Sequence, residues 1–278
     1  MKEEIKMENK TLTVAALQMS SLPLEKAKLD YYLAIAKSKQ VDVLVLGEYV
    51  TNLFFKEMQK TPIGLVEDQA RLQKENLKNL SKVYNITIIS PFVWVEKKKF
   101  YKLLAVFDRG SFKAFEQSVY MPYPHWDEKS FFSEGLYQKT PGFISVKGFK
   151  LALVSGFEAH FDAIWQKVSA KKADVVVLPS ASTFESAKRW RELCKTRAFL
   201  SSSYLLRVNR VGEFEGQKEG RWVFYGDSFV VNPYGEIDSG LGSSEEIMIS
   251  ELSKKEVLDA RKVWGFQKIA STLEKVQQ

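Results

Sequence analysis

Cysteine is nearly missing from this sequence: Cys194 stands alone among 278 residues. No intramolecular disulfide can form, and nothing points to an oxidising compartment. Histidine is almost as scarce, with only His125 and His160. One cysteine and two histidines argue against a structural zinc site. The spacing His160-x-Asp162, with Glu158 nearby and His125 elsewhere, resembles part of a metal triad, but a surface polar pair is the better reading. No apolar run approaches the roughly 18 to 20 residues that span a bilayer. The opening MKEEIKMENK is polar, with no apolar stretch behind it, so it does not read as a signal peptide. The expectation is a cytoplasmic protein without membrane contact. Charge of one sign is also missing: 41 Lys and Arg stand against 34 Asp and Glu, a net +7. The excess is small and scattered, and no groove-reading motif or aromatic platform accompanies it, so no nucleic-acid partner is expected. The basic runs Lys97–Lys99 and Lys171–Lys172 read as a hairpin turn and a helix C-terminus.

What is present is ordinary for a folded soluble chain, with 45% hydrophobic and 27% charged residues. Residues 1–10 read as a tail, 11–262 as one domain and 263–278 as a C-terminal extension. Apolar runs at 11–19, 41–47, 150–156, 173–180, 203–209 and 245–252 predict strands. Residues 86–95 and 101–108 predict two more strands around the turn 96–99, and 221–236 a strand, a tight turn and more strand. Helices are predicted at 24–38, on the face of Leu24, Ala27, Tyr31, Ala34 and Ile35, and near 65–83 through Leu72, Leu77 and Leu80. Further helices are predicted at 163–172, 184–200 and 253–261. Strands alternating with helices define the α/β class.

In such sheets ligands usually sit beyond the carboxyl ends of strands. Glu48 directly follows the strand VDVLVLG, and Glu158 lies two residues beyond Gly156. Either is a general acid or base, or merely a capping carboxylate. The aromatic stretch YMPYPHWDEKSFF (120–132) is a third candidate, or a packed loop.

Taken together, these segments resemble the carbon–nitrogen hydrolase (nitrilase) superfamily. VAALQM looks like its first strand, and VDVLVLGEYV its glutamate segment, with Glu48 in that role. GSFKAFEQSVYMP is similar to its lysine segment and KLALVSGFEAHFD to its cysteine segment. ADVVVLPSAS, WRELCKTRA, VNRVG and YGDSFVVNPYGE follow in the family's order. The resemblance implies a four-layer αββα sandwich, commonly paired into dimers, with no cofactor. It also implies a second glutamate, matched by Glu128. Tyr120, Phe157 and Glu158 are expected to line a substrate pocket.

The departures decide the functional expectation. Gly156 stands at the nucleophile position and Ser118 at the lysine position. Glycine forms no thioester, and serine brings no positive charge to a developing oxyanion. Losing one such donor alone typically costs about 3 to 4 kcal/mol of transition-state stabilisation. A non-catalytic homologue is therefore expected, binding a small amine or amide or a protein partner. The alternative is an amidase with another nucleophile, such as Ser155, or an activated water, with Glu48 and Glu128 doing acid–base work. Cys194 reads as a packed residue. Without a lysine at 118, Glu48 and Glu128 are expected to share a proton or to hold a cation or amine, unless a basic residue from another loop moves in. A homodimer is expected through the helices at 160–172 and 184–200, on Phe161, Ile164, Trp165, Trp190, Leu193, Phe199 and Leu200.

Overall fold

Side-chain alternation along the strands determines the layers of this protein. The computed structural model describes residues 10–22, 26–216, 220–266 and 268–269. The tail 1–9, Leu24 and residues 267 and 270–278 of the extension lie outside the described residues.

The first half runs β1 (Thr11–Gln18), α1 (Ala27–Ser38), β2 (Val43–Leu46), α2 (Phe55–Met58), α3 (Ile63–Tyr84), β3 (Thr87–Glu96), β4 (Lys99–Asp108) and β5 (Ser111–Glu116). A small hairpin, β6 (Pro122–Tyr123) and β7 (Trp126–Asp127), leads into α4 (Glu128–Phe131). The second half runs β8 (Gly142–Val146), β9 (Phe149–Leu153), a 3-10 turn (Gly156–His160), α5 (Asp162–Ala170), β10 (Val175–Ser180), α6 (Ala187–Ser201) and β11 (Tyr204–Asn209). It continues with β12 (Val211–Gly216), β13 (Gly220–Tyr225), β14 (Phe229–Val231), β15 (Ile237–Gly240), β16 (Glu246–Ser253) and α7 (Lys254–Trp264).

Two six-stranded sheets result, ordered β16-β1-β2-β3-β4-β5 and β15-β14-β11-β10-β9-β8. Their central strands are parallel and their margins antiparallel. Successive residues of a strand face opposite sides. Thus Leu12, Val14 and Ala16 of β1 join Val175 and Val177 of β10 in a core between the sheets. Ala15 and Leu17 instead meet Leu29 and Leu33 of α1 and Leu77 and Leu80 of α3. On the far side, Val176 and Leu178 meet Ile164 and Trp165 of α5 and Cys194 and Ala198 of α6. Helix, sheet, sheet and helix therefore stack as the expected αββα sandwich. No described helix is long and apolar enough to cross a membrane.

Some expectations are corrected. Leu72 is exposed, and α3 buries Val66, Ala70 and Gln73 beside Leu77 and Leu80. The short helix α2 and the strands β5, β8 and β12 lie in stretches not read as elements. Of the supposed interface residues, Ile164 and Trp165 are buried against their own sheet, and Trp190 and Leu193 pack on the same core. Phe161 and Leu200 are exposed.

Candidate functional site

The carboxyl ends of β2, β10 and β11 converge at the edge of the inter-sheet core. A Cβ on Gly47 would lie only 2.9 Å from the Arg210 amide nitrogen, so glycine permits this approach. The next amide, of Glu48, donates to the Ser180 carbonyl at 3.1 Å. Tyr49 follows with φ 57, a left-handed conformation that is rare for a bulky side chain. This turn drives both the Glu48 and Tyr49 side chains inward, where both are buried.

The expected lysine vacancy is filled. Lys102 of β4 places its ammonium 3.1 Å from Glu48 Oε2 and 2.8 Å from Glu128 Oε1. The Tyr49 hydroxyl also donates to Glu128 Oε1, and Lys102 Nζ lies 4.9 Å from the Tyr49 ring centre. Burial opposes the Lys102 charge, but Glu128 and Glu48 more than offset it, and its pKa is raised. Burial pushes the Glu48 carboxyl up, against the pull of Lys102 and with the push of Glu128. Burial, then Glu128 and Glu48, hold the Tyr49 phenol well above its usual value. A basic residue has thus moved in from another element, and no external amine is called for at this point. Sequence reasoning missed Lys102, although a signal was there. In YKLLAVFD it shares a strand face with Leu104 and Val106, which belong to the inter-sheet core.

The remaining predicted residues sit around this trio in different roles. Gly156 opens the 3-10 turn after β9, and its amide donates to Glu48 Oε1 at 3.2 Å. A Cβ there would lie 3.0 Å from Ser180 Cβ and 3.2 Å from the Pro179 carbonyl oxygen. Ser118 is turned to Thr140, its hydroxyl donating to the Thr140 carbonyl at 2.6 Å. Glu158 is occupied by the chain itself. It accepts from the amides of Ser118, Val119 and Ser155 and from the Thr140 hydroxyl. Burial raises its pKa against those bonds. It ties two loops together and has little left for a ligand. Among the described residues the Ser155 hydroxyl bonds no histidine, lysine or carboxylate that would activate it. Cys194 lies in the α6 core, where burial pushes its thiol up to about 12. No cluster of three or more potential metal ligands occurs among the described residues. Asp162 pairs instead with Arg197 at 2.6 Å.

A cover of aromatic side chains packs on Tyr49, which itself touches Glu128 and Lys102. Phe54 meets Tyr49, Phe55, Trp126, Phe214, Trp222 and Phe224 with ring centres 4.8–6.0 Å apart. Trp126 stacks on Trp222 at 5.3 Å. Phe214 of β12 and Trp222 and Phe224 of β13 are thus held against Phe54. Outside this cover are two clefts, of about 410 and 430 Å³. The first is lined by Ser118 and Tyr120, and Phe157 lines both. Neither is lined by Glu48, Lys102, Glu128 or Glu158. The arrangement holds a proton on Lys102 between two carboxylates, with no side-chain nucleophile at Gly156.

The family model described as carbon-nitrogen hydrolase matches residues 13–262. An N-carbamoylputrescine amidase of Solanum lycopersicum is 23% identical, over 92% of this chain and 91% of its own. A 2-oxoglutaramate amidase of Bacillus subtilis (strain 168) is 22% identical, over 90% and 93%. Among solved structures, a carbon-nitrogen hydrolase from Helicobacter pylori G27 superposes with a TM-score of 0.83. It is 20% identical, covers 93% of this chain and 95% of its own, and bears on the fold alone.

Proposed function

Because the chain belongs to the carbon–nitrogen hydrolase family, we propose that it is a non-catalytic member, whose acidic site survives as a buried ion-pair cluster. The observation that carries this reading is Gly156. It has no side chain, and a Cβ there would press on Ser180 and Pro179, which would have to give by a few tenths of an ångström. The near-complete burial of Glu48, Lys102 and Glu128 supports the same reading, since a substrate would need an opening to reach them. Ammonia release from N-carbamoylputrescine, 2-oxoglutaramate and simple aliphatic amides tests it. The expected result is no turnover above buffer, before or after alkylation of Cys194. Turnover that survives purification and disappears on mild alkylation would overturn the reading and the placement of Gly156 together.

A second reading is favoured by the retained trio, in which Glu48 has a raised pKa beside a cation. Here Glu48 would activate a water against an amide, with Lys102 rather than Ser118 facing the oxyanion. This reading requires turnover that Glu48→Gln abolishes while the fold stays intact.

Pairing of two chains belongs to the proposal as well. It is supported by Leu200, Val263 and Trp264, exposed together on α6 and α7. Sedimentation at micromolar concentration is expected to give a dimer, and a monomer there counts against it.

A further inference from the structure

The cleft of about 430 Å³ outside the aromatic cover contains both histidines of the chain. One wall comes from the β6–β7 hairpin, where the Tyr123 and His125 rings stack at 5.7 Å and 6°. The opposite wall comes from the 3-10 turn and α6. There His160 lies against Phe157 at 5.8 Å and edge-on to Trp190 at 5.0 Å. The His160 Nδ1–H donates to the Phe157 carbonyl at 2.9 Å, which fixes that ring. Phe184 closes one end, edge-on to His125 at 6.0 Å. It holds a left-handed φ of 61 and is 54% exposed. The ring is held edge-on to Trp222 at 5.4 Å as well, on a left-handed backbone of the kind that clusters at ligand sites.

Charge in the cleft has one sign. The lining includes Arg189, which makes no ion pair among the described residues, and no aspartate or glutamate. Ring faces alone attract cations as well as planar ligands. Arg189, unopposed within the cleft, turns that preference toward anions, since a guanidinium binds carboxylate through paired hydrogen bonds. The volume lies within the roughly 300–1,000 Å³ usual for small-molecule sites.

We infer that this cleft binds a planar aromatic carboxylate, stacked among the rings, with its carboxylate on Arg189. The ligand class differs from the amides and amines expected from the sequence, and the site lies outside the Glu48–Lys102–Glu128 trio. The inference goes beyond the proposed function and does not depend on it, because occupancy of the cleft requires no hydrolysis.

Titration of the full chain with 2-naphthoate, followed by calorimetry and tryptophan fluorescence, tests it. The expected result is saturable binding of one naphthoate per chain at or below about 1 mM. The cationic 2-naphthylmethylamine and the neutral 2-naphthamide should each bind about tenfold more weakly, the loss of one charge-assisted contact. Arg189→Ala should weaken naphthoate by a similar factor without changing the far-ultraviolet circular dichroism. Phe184→Gly removes a ring while relieving the left-handed backbone, so it should lower affinity without lowering the melting temperature. No saturation at several millimolar naphthoate would overturn the inference. Equal affinity for the amine, or full affinity in Arg189→Ala, would do so too. Amide turnover is a separate readout, so failure here leaves the proposed function standing, and the reverse holds.

Discussion

Lys102→Met is expected to lower the stability of the chain by about 3–5 kcal/mol, the usual penalty for breaking a buried ion pair by removing one partner. At this chain length that corresponds to a fall of roughly 10 °C in melting temperature. The methionine preserves most of the packing volume, so the loss reports charge. Glu48 and Glu128 are left facing each other with no cation, each nearly out of contact with solvent. The pH dependence separates this from a packing defect. In the native chain the Lys102 pKa is raised, by Glu128 and Glu48 against burial. Its contribution is therefore complete below the unfolded lysine value of about 10.4 and is lost as pH rises through the higher folded value. In the variant the uncompensated carboxylates gain proton affinity. The native state then binds protons that the unfolded chain has released above about 4.3, so the stability deficit should shrink as pH falls from 8 toward 5. Urea midpoints across that range provide the measurement. A deficit that stays constant with pH would mean that Lys102 acts as a spacer, not as a charge.

The trio illustrates how far sequence alone reaches. Glu48 was legible as a carboxylate at the end of an apolar strand, where a capping role fits as well, and the family resemblance favoured the acid–base role; Glu128 entered with that resemblance. Both lie in the same buried cluster. Lys102 is masked by its setting, a cation on a strand otherwise apolar on that face. Its strand was read correctly, but its place on the same face as Leu104 and Val106 was not followed through. The central strands were legible because their apolar, β-branched runs fit a sheet buried on both faces, whereas the four-layer stacking came with the family resemblance. The strand β5 carries the same alternation, with Phe112 and Phe115 on opposite faces. The role of Glu158 could not be read off. Its carboxylate binds amides from three residues, two of them about 40 positions away, and no spacing rule carries that information. The aromatic cover is of the same kind. Phe54, Trp126 and Trp222 come from three distant segments and meet only through the tertiary fold.

That cover sets the second large effect. Phe54→Ala is expected to cost about 3–5 kcal/mol, the range for truncating a fully buried phenylalanine. The upper half of the range is the better expectation. Phe54 is 1% exposed, and its edge-to-face contacts with Tyr49, Trp126 and Phe224 add to the area it buries. The void left behind would be walled by rings, and an apolar cavity of that kind stays dry and accepts benzene. Benzene should therefore raise the melting temperature of Phe54→Ala and leave that of the wild type unchanged, because a ligand that binds only the folded state stabilises it by mass action. The variant also separates the two functional readings. If the cover alone prevents hydrolysis, opening it should produce amide turnover that depends on Glu48. If Gly156 is the decisive loss, access to Glu48 and Lys102 brings no chemistry, and turnover stays at buffer level. The second outcome is the expected one, since opening the cover supplies no nucleophile at 156 and leaves the tight approach to Ser180 unchanged. Combining Phe54→Ala with Ser180→Gly and Gly156→Cys then removes the cover and the Ser180 obstruction and supplies a thiol. A cysteine in that variant that becomes alkylated faster than Cys194, and more slowly once Glu48→Gln is added, would place position 156 within reach of the Glu48 base. A cysteine as inert as Cys194 would show that the turn after β9 is not where a nucleophile could act.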